Sequence, residues 1–265
     1  MRWLVPVLLL GARVTAGSLP ILEDKPWVGY FVAHETRAYT FGIGSDGKGV
    51  LAPRNRQGEA CAHLKELTVA FVVEELLPDG RVVAKQIDEQ SLETSDQPTT
   101  KPQTVKFRGK GTGGAGFEAV ATFNKERMEF GGKVLAAGSL KHPLRFAVKV
   151  SMREVYKGAA TEGREFERKI KDDELRFETL DAKRGKIEMA AVVDLAKECG
   201  KGLSSMRFEM AGYEGRRFEF STTAGASIIA ENPAGKPLIE GLTINWRPEA
   251  GKDPEGKARL VVEIR

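Results

Sequence analysis

Apolar residues recur at every second position over much of this chain. Leu144, Phe146, Val148, Val150 and Met152 alternate with Arg145, Ala147, Lys149, Ser151 and Arg153. Successive side chains of a strand point to opposite faces, so this run predicts a strand with one buried and one wet face. Tyr39, Phe41 and Ile43 repeat the pattern, as do Met206, Phe208 and Met210, and Leu260, Val262 and Ile264. Turn-forming residues separate such runs: Ser45-Asp46-Gly47-Lys48-Gly49, Pro78-Asp79-Gly80 and Asn124-Lys125-Glu126. Each predicts a hairpin. Short strands at this spacing predict an all-β fold, an antiparallel β-sandwich or a set of open barrel-like meanders.

Helix is scarce. Residues 192–199, VVDLAKEC, predict about two helical turns ending at Gly200. Two polar stretches interrupt the alternation. Residues 88–103 predict a long exposed loop, and residues 157–173 a polar connector or a charged strand pair around Phe166. The connector divides a first β unit, 17–156, from a second, 174–265, which form either one sandwich or two domains. Residues 104–123 align with 205–223: each has an alternating strand, a glycine-bearing turn, then Phe117-Glu118 or Phe218-Glu219. An internal duplication is one explanation. The other is that any two meanders rich in Phe, Glu and Gly look alike.

The N-terminus departs from the strand pattern. A basic start at Arg2 precedes an apolar run over residues 3–12, and Val14-Thr15-Ala16 supplies small residues for a peptidase. These parts predict a cleaved signal peptide over residues 1–16 and export to the periplasm or the cell exterior. An uncleaved anchor or a buried strand would be the alternative. The apolar run falls short of the roughly 20 residues that span a bilayer, so no integral span is expected in the mature chain. Asn55, Asn124, Asn232 and Asn245 all lack the glycosylation sequon, which suits a bacterial exported protein.

Composition changes little. Hydrophobic residues make up 41% and charged residues 29%, as in an ordinary globular protein. The net charge is +4, and the signal segment carries Arg2 and Arg13, so the mature chain is nearly neutral. No basic block stands apart from acidic neighbours, which argues against a nucleic-acid partner. Cys61 and Cys199 could pair after export or remain buried thiols.

Candidate chemistry is sparse. KFRGKGTGGAGF, residues 106–117, contains G-x-G-x-x-G at Gly109, Gly111 and Gly114. A dinucleotide fingerprint needs a helix after its glycines. Here a strand pattern follows, so a hairpin tip is expected and no cofactor. His34, His63 and His142 are the weak metal candidates; their spacing matches no local motif, and no metal is expected. No nucleophile elbow occurs, and Glu74-Glu75 and Asp172-Asp173 are adjacent, so each pair would face opposite ways in a strand. Trp27 and Tyr30 lie near the mature N-terminus. Tyr213, on an expected turn tip, and Trp246, at a strand end, are the candidate binding aromatics, flat surfaces for sugars or anchors for proteins. Core packing is the competing role for Trp27 and Trp246. The resulting expectation is a non-catalytic exported protein with a binding or structural role toward an envelope or extracellular ligand, protein or glycan. The alternatives are a secreted hydrolase acting on a saccharide or ester, and a carbohydrate-binding module.

Overall fold

A computed structural model describes residues 19–61, 63–156, 164–249 and 253–265. The expected signal peptide, residues 1–16, lies outside them. The strands in chain order are β1 (Tyr30–Glu35), β2 (Tyr39–Gly44), β3 (Gly49–Pro53), β4 (Leu67–Leu76), β5 (Val82–Lys85), β6 (Ile87–Glu93), β7 (Thr104–Gly111), β8 (Ala115–Asn124), β9 (Arg127–Ala136) and β10 (Leu144–Arg153). Then follow β11 (Glu174–Thr179), β12 (Arg184–Glu188), β13 (Leu203–Glu209), β14 (Arg217–Thr222), β15 (Ala226–Glu231), β16 (Gly241–Pro248) and β17 (Leu260–Ile264).

Hydrogen bonding orders these strands in two limbs of one curled antiparallel sheet, an open half-barrel. The first limb runs β1-β2-β3-β4-β10-β16-β15, with β5 on the far end of β4. The second runs β6-β7-β8-β9-β17-β14-β13-β11-β12. Leu203 opposite Ile228 joins them. The alternating apolar residues of both limbs meet in the core. Phe71 of β4 lies 5.2 Å from Phe107 of β7, Phe146 of β10 lies 6.2 Å from Phe117 of β8, and Phe41 of β2 lies 5.3 Å from Phe130 of β9. Edge-on and tilted contacts at these separations add to the burial of the rings themselves. Every second residue of these strands is buried, so the period-two pattern is the cause of the two-limbed core.

The hairpins at residues 45–49, 78–80 and 124–126 form as their turn residues predict. The short helix also forms, as α2 (Leu195–Glu198) below, with Asp194 as its cap: the carboxylate accepts from the Lys197 N–H. Residues 88–103 are not all loop. Their first part belongs to β6, an exposed edge strand pairing with β7 across a bulge, and its polar composition reflects that exposure. Residues 164–170 form a helix, α1 (Arg164–Ile170), rather than a strand; residues 157–163 lie outside the described ones. The strands on either side of this connector pair with each other: β10 with β16, and β9 with β17. The two aligned segments become the β7–β8 and β13–β14 hairpins, each turning through a short 3₁₀ stretch. No helix among the described residues is long and apolar enough to cross a membrane.

Candidate functional site

The glycine-rich stretch that resembles a nucleotide motif is the tip of the β7–β8 hairpin. Gly111 lies opposite Ala115, and Thr112–Gly114 make the turn. Two of its backbone groups are used within the protein. The Thr112 N–H donates to the Gln86 carbonyl at 2.8 Å, and the Gly113 carbonyl accepts from the Ser139 N–H at 2.8 Å. Gly113 sits at φ +82°, where a side chain would also meet Leu140 at 2.6 Å. Glycine is needed there for chain reversal and close packing.

The three histidines do not converge. His34 packs on the core side of β1, its ring 5.2 Å from Phe123 and 5.7 Å from Tyr39. Burial holds its pKa below the usual histidine value, against a hydrogen bond with the Lys125 backbone. His63 is exposed in the turn before β4, and His142 is partly exposed just before β10. No three His, Cys, Asp or Glu side chains cluster as metal ligands among the described residues.

The two aromatics chosen from the sequence as surface candidates are both buried. Tyr213 is 1% exposed because its turn folds back and stacks the ring on Phe218, with centroids 4.5 Å apart. Trp246 is fully buried, and its indole N–H donates to Thr222 Oγ1 at 2.8 Å, joining β16 to β14. Neither presents a flat face to solvent. Cys61 and Cys199 are free buried thiols.

A different aromatic pair is partly exposed. Trp27 and Tyr30, both only partly buried, stand edge to face at 5.7 Å on the turn entering β1. Core packing is the competing role for Trp27; in the structure it is partly buried, on the turn entering β1. The Tyr30 ring lies over Gly42, where any Cβ would come within 2.4 Å of it. Phe41 and Ile43 point into the core, so Gly42 faces outward, and so does the ring upon it. From Gly42 the pairing runs in register across the limb: Val50, Thr68, Ser151, Thr243 and Glu231. Adjacent strands lie about 4.8 Å apart, so this row is about 24 Å long. The next row holds Ala70, Lys149, Asn245 and Ile229. The Asn245 amide donates to Glu231 Oε2 at 3.3 Å. Beyond lie Glu74 opposite Arg145, ion-paired at 2.6 Å, and Ser227 opposite Arg247. The outer face of the first limb therefore carries an aromatic platform at one edge, then hydroxyls, an amide and paired charges.

The outer face of the second limb differs. Arg176, Glu178, Arg184, Lys186, Arg207 and Glu219 line a hollow of about 590 Å³. Its charges are largely matched, across strands by Arg184 with Glu178 at 3.1 Å, Arg176 with Glu209 at 3.4 Å and Lys186 with Glu174, and along β13 by Arg207 with Glu209 at 2.6 Å. Among the described residues the one aromatic lining it is Phe177, partly buried, whose ring lies over Gly185. Exposed, mutually paired charges on a sheet are what a solvated face needs.

No family model matches the chain, and no curated protein matches it. Solved structures share its fold. The α-N-acetylgalactosaminidase NagBb of Bifidobacterium bifidum, in its GalNAc complex, is similar at a TM-score of 0.53 and 10% identity. The match covers 88% of this chain and 35% of the glycosidase, so the chain spans about a third of that enzyme's length. The Slr1438 protein of Synechocystis sp. PCC 6803 is similar at a TM-score of 0.50 and 9% identity, covering 85% of this chain and 91% of its own.

Proposed function

We propose that this chain is an exported, non-catalytic carbohydrate-binding protein whose ligand surface is the outer face of the first limb. The observation that carries this reading is the partly exposed Trp27–Tyr30 pair at the head of a registered row of small and hydroxyl-bearing residues. Sugar rings present C–H faces that stack on aromatic side chains, while their hydroxyls exchange hydrogen bonds with groups such as Thr68, Thr243, Asn245 and Glu231. A sheet face of this kind is pre-formed, so binding orders few side chains. The N-terminal signature supports export, where extracellular glycans are met. A shared fold with part of a glycosidase fits a saccharide ligand, although fold alone does not carry function.

Titration calorimetry with soluble galacto-, xylo- and chito-oligosaccharides tests this reading. At least one series is expected to bind, and Trp27→Ala is expected to weaken it about five- to tenfold, the loss of one stacking contact worth about 1–1.5 kcal/mol. Binding unchanged by Trp27→Ala, or no binding to any series, would reject the surface. Release of reducing ends during the titration would favour the hydrolase instead.

A further inference from the structure

On the far side of the same face, two arginines sit together; the carboxylates around them are Glu74, paired with Arg145, Glu231, whose charge acts on Arg247, and Glu249 and Asp253, which share a hollow with Arg145. Arg145 on β10 and Arg247 on β16 share the outer surface: Val148 is opposite Trp246, which sets Arg247 beside Ala147 and diagonal to Arg145. The Arg145 Nε–H donates to Glu74 Oε2 at 2.6 Å, yet its Nη2 is buried without a hydrogen-bond partner. Arg247 has no ion pair or hydrogen bond among the described residues. Burial and the neighbouring Arg145 charge push its pKa down, which Glu74 and Glu231 offset in part. The residues flanking Arg247 on the neighbouring strands are small: Ala147 on β10 and Ser227 on β15 are both buried. The second limb shows the contrast. There Arg207 also leaves its Nε unpaired, but Glu209 holds its other end and Glu219 lies opposite.

Neighbouring desolvated guanidinium groups with donors left unpaired are unfavourable, and a planar guanidinium is best satisfied by an oxyanion held through two parallel N–H donors. We propose that Arg145 and Arg247 form an oxyanion subsite that makes the first-limb face selective for acidic saccharides, through a uronate carboxylate or a sulfate ester. The carbohydrate class rests on the reading of the Trp27–Tyr30 platform; the anion preference rests on the arginines alone. Glu74 positions Arg145, Arg247 supplies the open guanidinium, and Lys149 on the adjoining row adds a third positive charge.

The experiment compares an oligogalacturonate, the same oligomer with its carboxylates methyl-esterified, and a sulfated oligogalactan, each against wild type, Arg247→Met, Arg247→Lys and Trp27→Ala. Circular dichroism confirms that each variant is folded. The expected result is at least tenfold tighter binding of an acidic oligomer than of the esterified one. That preference should fall with added salt, vanish in Arg247→Met and survive in part in Arg247→Lys. Whether the carboxylated or the sulfated oligomer binds more tightly identifies the source of the oxyanion, and either supports the subsite. Equal binding of charged and esterified oligomers, both weakened by Trp27→Ala, overturns the subsite and leaves the aromatic surface standing. Charge-dependent binding untouched by Trp27→Ala supports the subsite and overturns the aromatic surface. Binding of none of the oligomers overturns both.

Discussion

His34 shows how one side chain can set a pH response. Its ring is wedged between Tyr39 and Phe123, and its Nε2 is buried without a partner. Burial disfavours the charged form and holds the pKa down. The folded state therefore prefers neutral histidine. That stabilisation is present above the ordinary value near 6.5 and is lost as the pH falls through the lowered one. His34→Phe keeps the packing and removes the titration, so its melting temperature is expected to fall less than that of wild type between pH 7 and pH 5. The thiols give a second residue-scale expectation. Burial pushes Cys61 up to about 11 and Cys199 up to about 12, so neither is a thiolate at neutral pH. Without reductant, a thiol reagent should label neither in the native protein and both in denaturant; no labelling in denaturant would reveal a disulfide. A third concerns Asp173, 2% exposed, which accepts the Tyr156 hydroxyl on one oxygen and the Ala211 N–H at 2.7 Å on the other. Tyr156→Phe leaves a buried carboxyl oxygen short of that donor, and urea unfolding is expected to show a loss of about 1–3 kcal/mol.

Elements were the most legible level of this sequence. Alternation identified β10, β13 and β17 because one face of each is dry and the other wet, and that asymmetry is written in the residues themselves. It was silent about β6, whose residues are nearly all exposed. Turn chemistry likewise marked the hairpins, but could not show that the 211–213 turn folds inward. That depends on stacking of Tyr213 on Phe218 and on Asp173, 38 positions away, receiving the Ala211 N–H. The same limit explains why Tyr213 reads as a surface residue in sequence and is core in structure. The β7–β8 tip offers a direct test at this scale. Gly113→Ala combines a left-handed backbone with a 2.6 Å approach to Leu140. It is expected to cost about 1–2 kcal/mol by denaturant titration, without altering any ligand affinity.

At the scale of the molecule, contacts between distant parts of the chain decide what the face looks like. Residues before and after the connector share the β10–β16 and β9–β17 ladders. Arg216, 9% exposed, donates to the Asn55 carbonyl at 2.9 Å and the Arg37 carbonyl at 2.9 Å, tying the second hairpin tip to the loops after β1 and β3. Arg216→Met is expected to destabilise the protein by about 2–4 kcal/mol, and thermal unfolding of wild type and variant alike to remain one transition. Two separate transitions would mean that the ladders do not couple the two parts of the chain. The candidate surface was only half legible. Alternation placed Arg145, Lys149 and Ser151 on a wet face, but their register with Thr68, Thr243 and Gly42 is set by pairing between strands far apart in sequence. Trp27 and Tyr30 gave no signal of exposure, because a turn and the missing side chain of Gly42 position them. The most direct test of this surface is an amide and indole chemical-shift titration with oligogalacturonate and its methyl ester. The account predicts that shifts gather at Gly42, Val50, Thr68, Ser151, Thr243 and the Trp27 indole, while Arg176, Ser205 and Glu219 stay still. Shifts centred on the second limb, or none at saturating oligosaccharide, would contradict it.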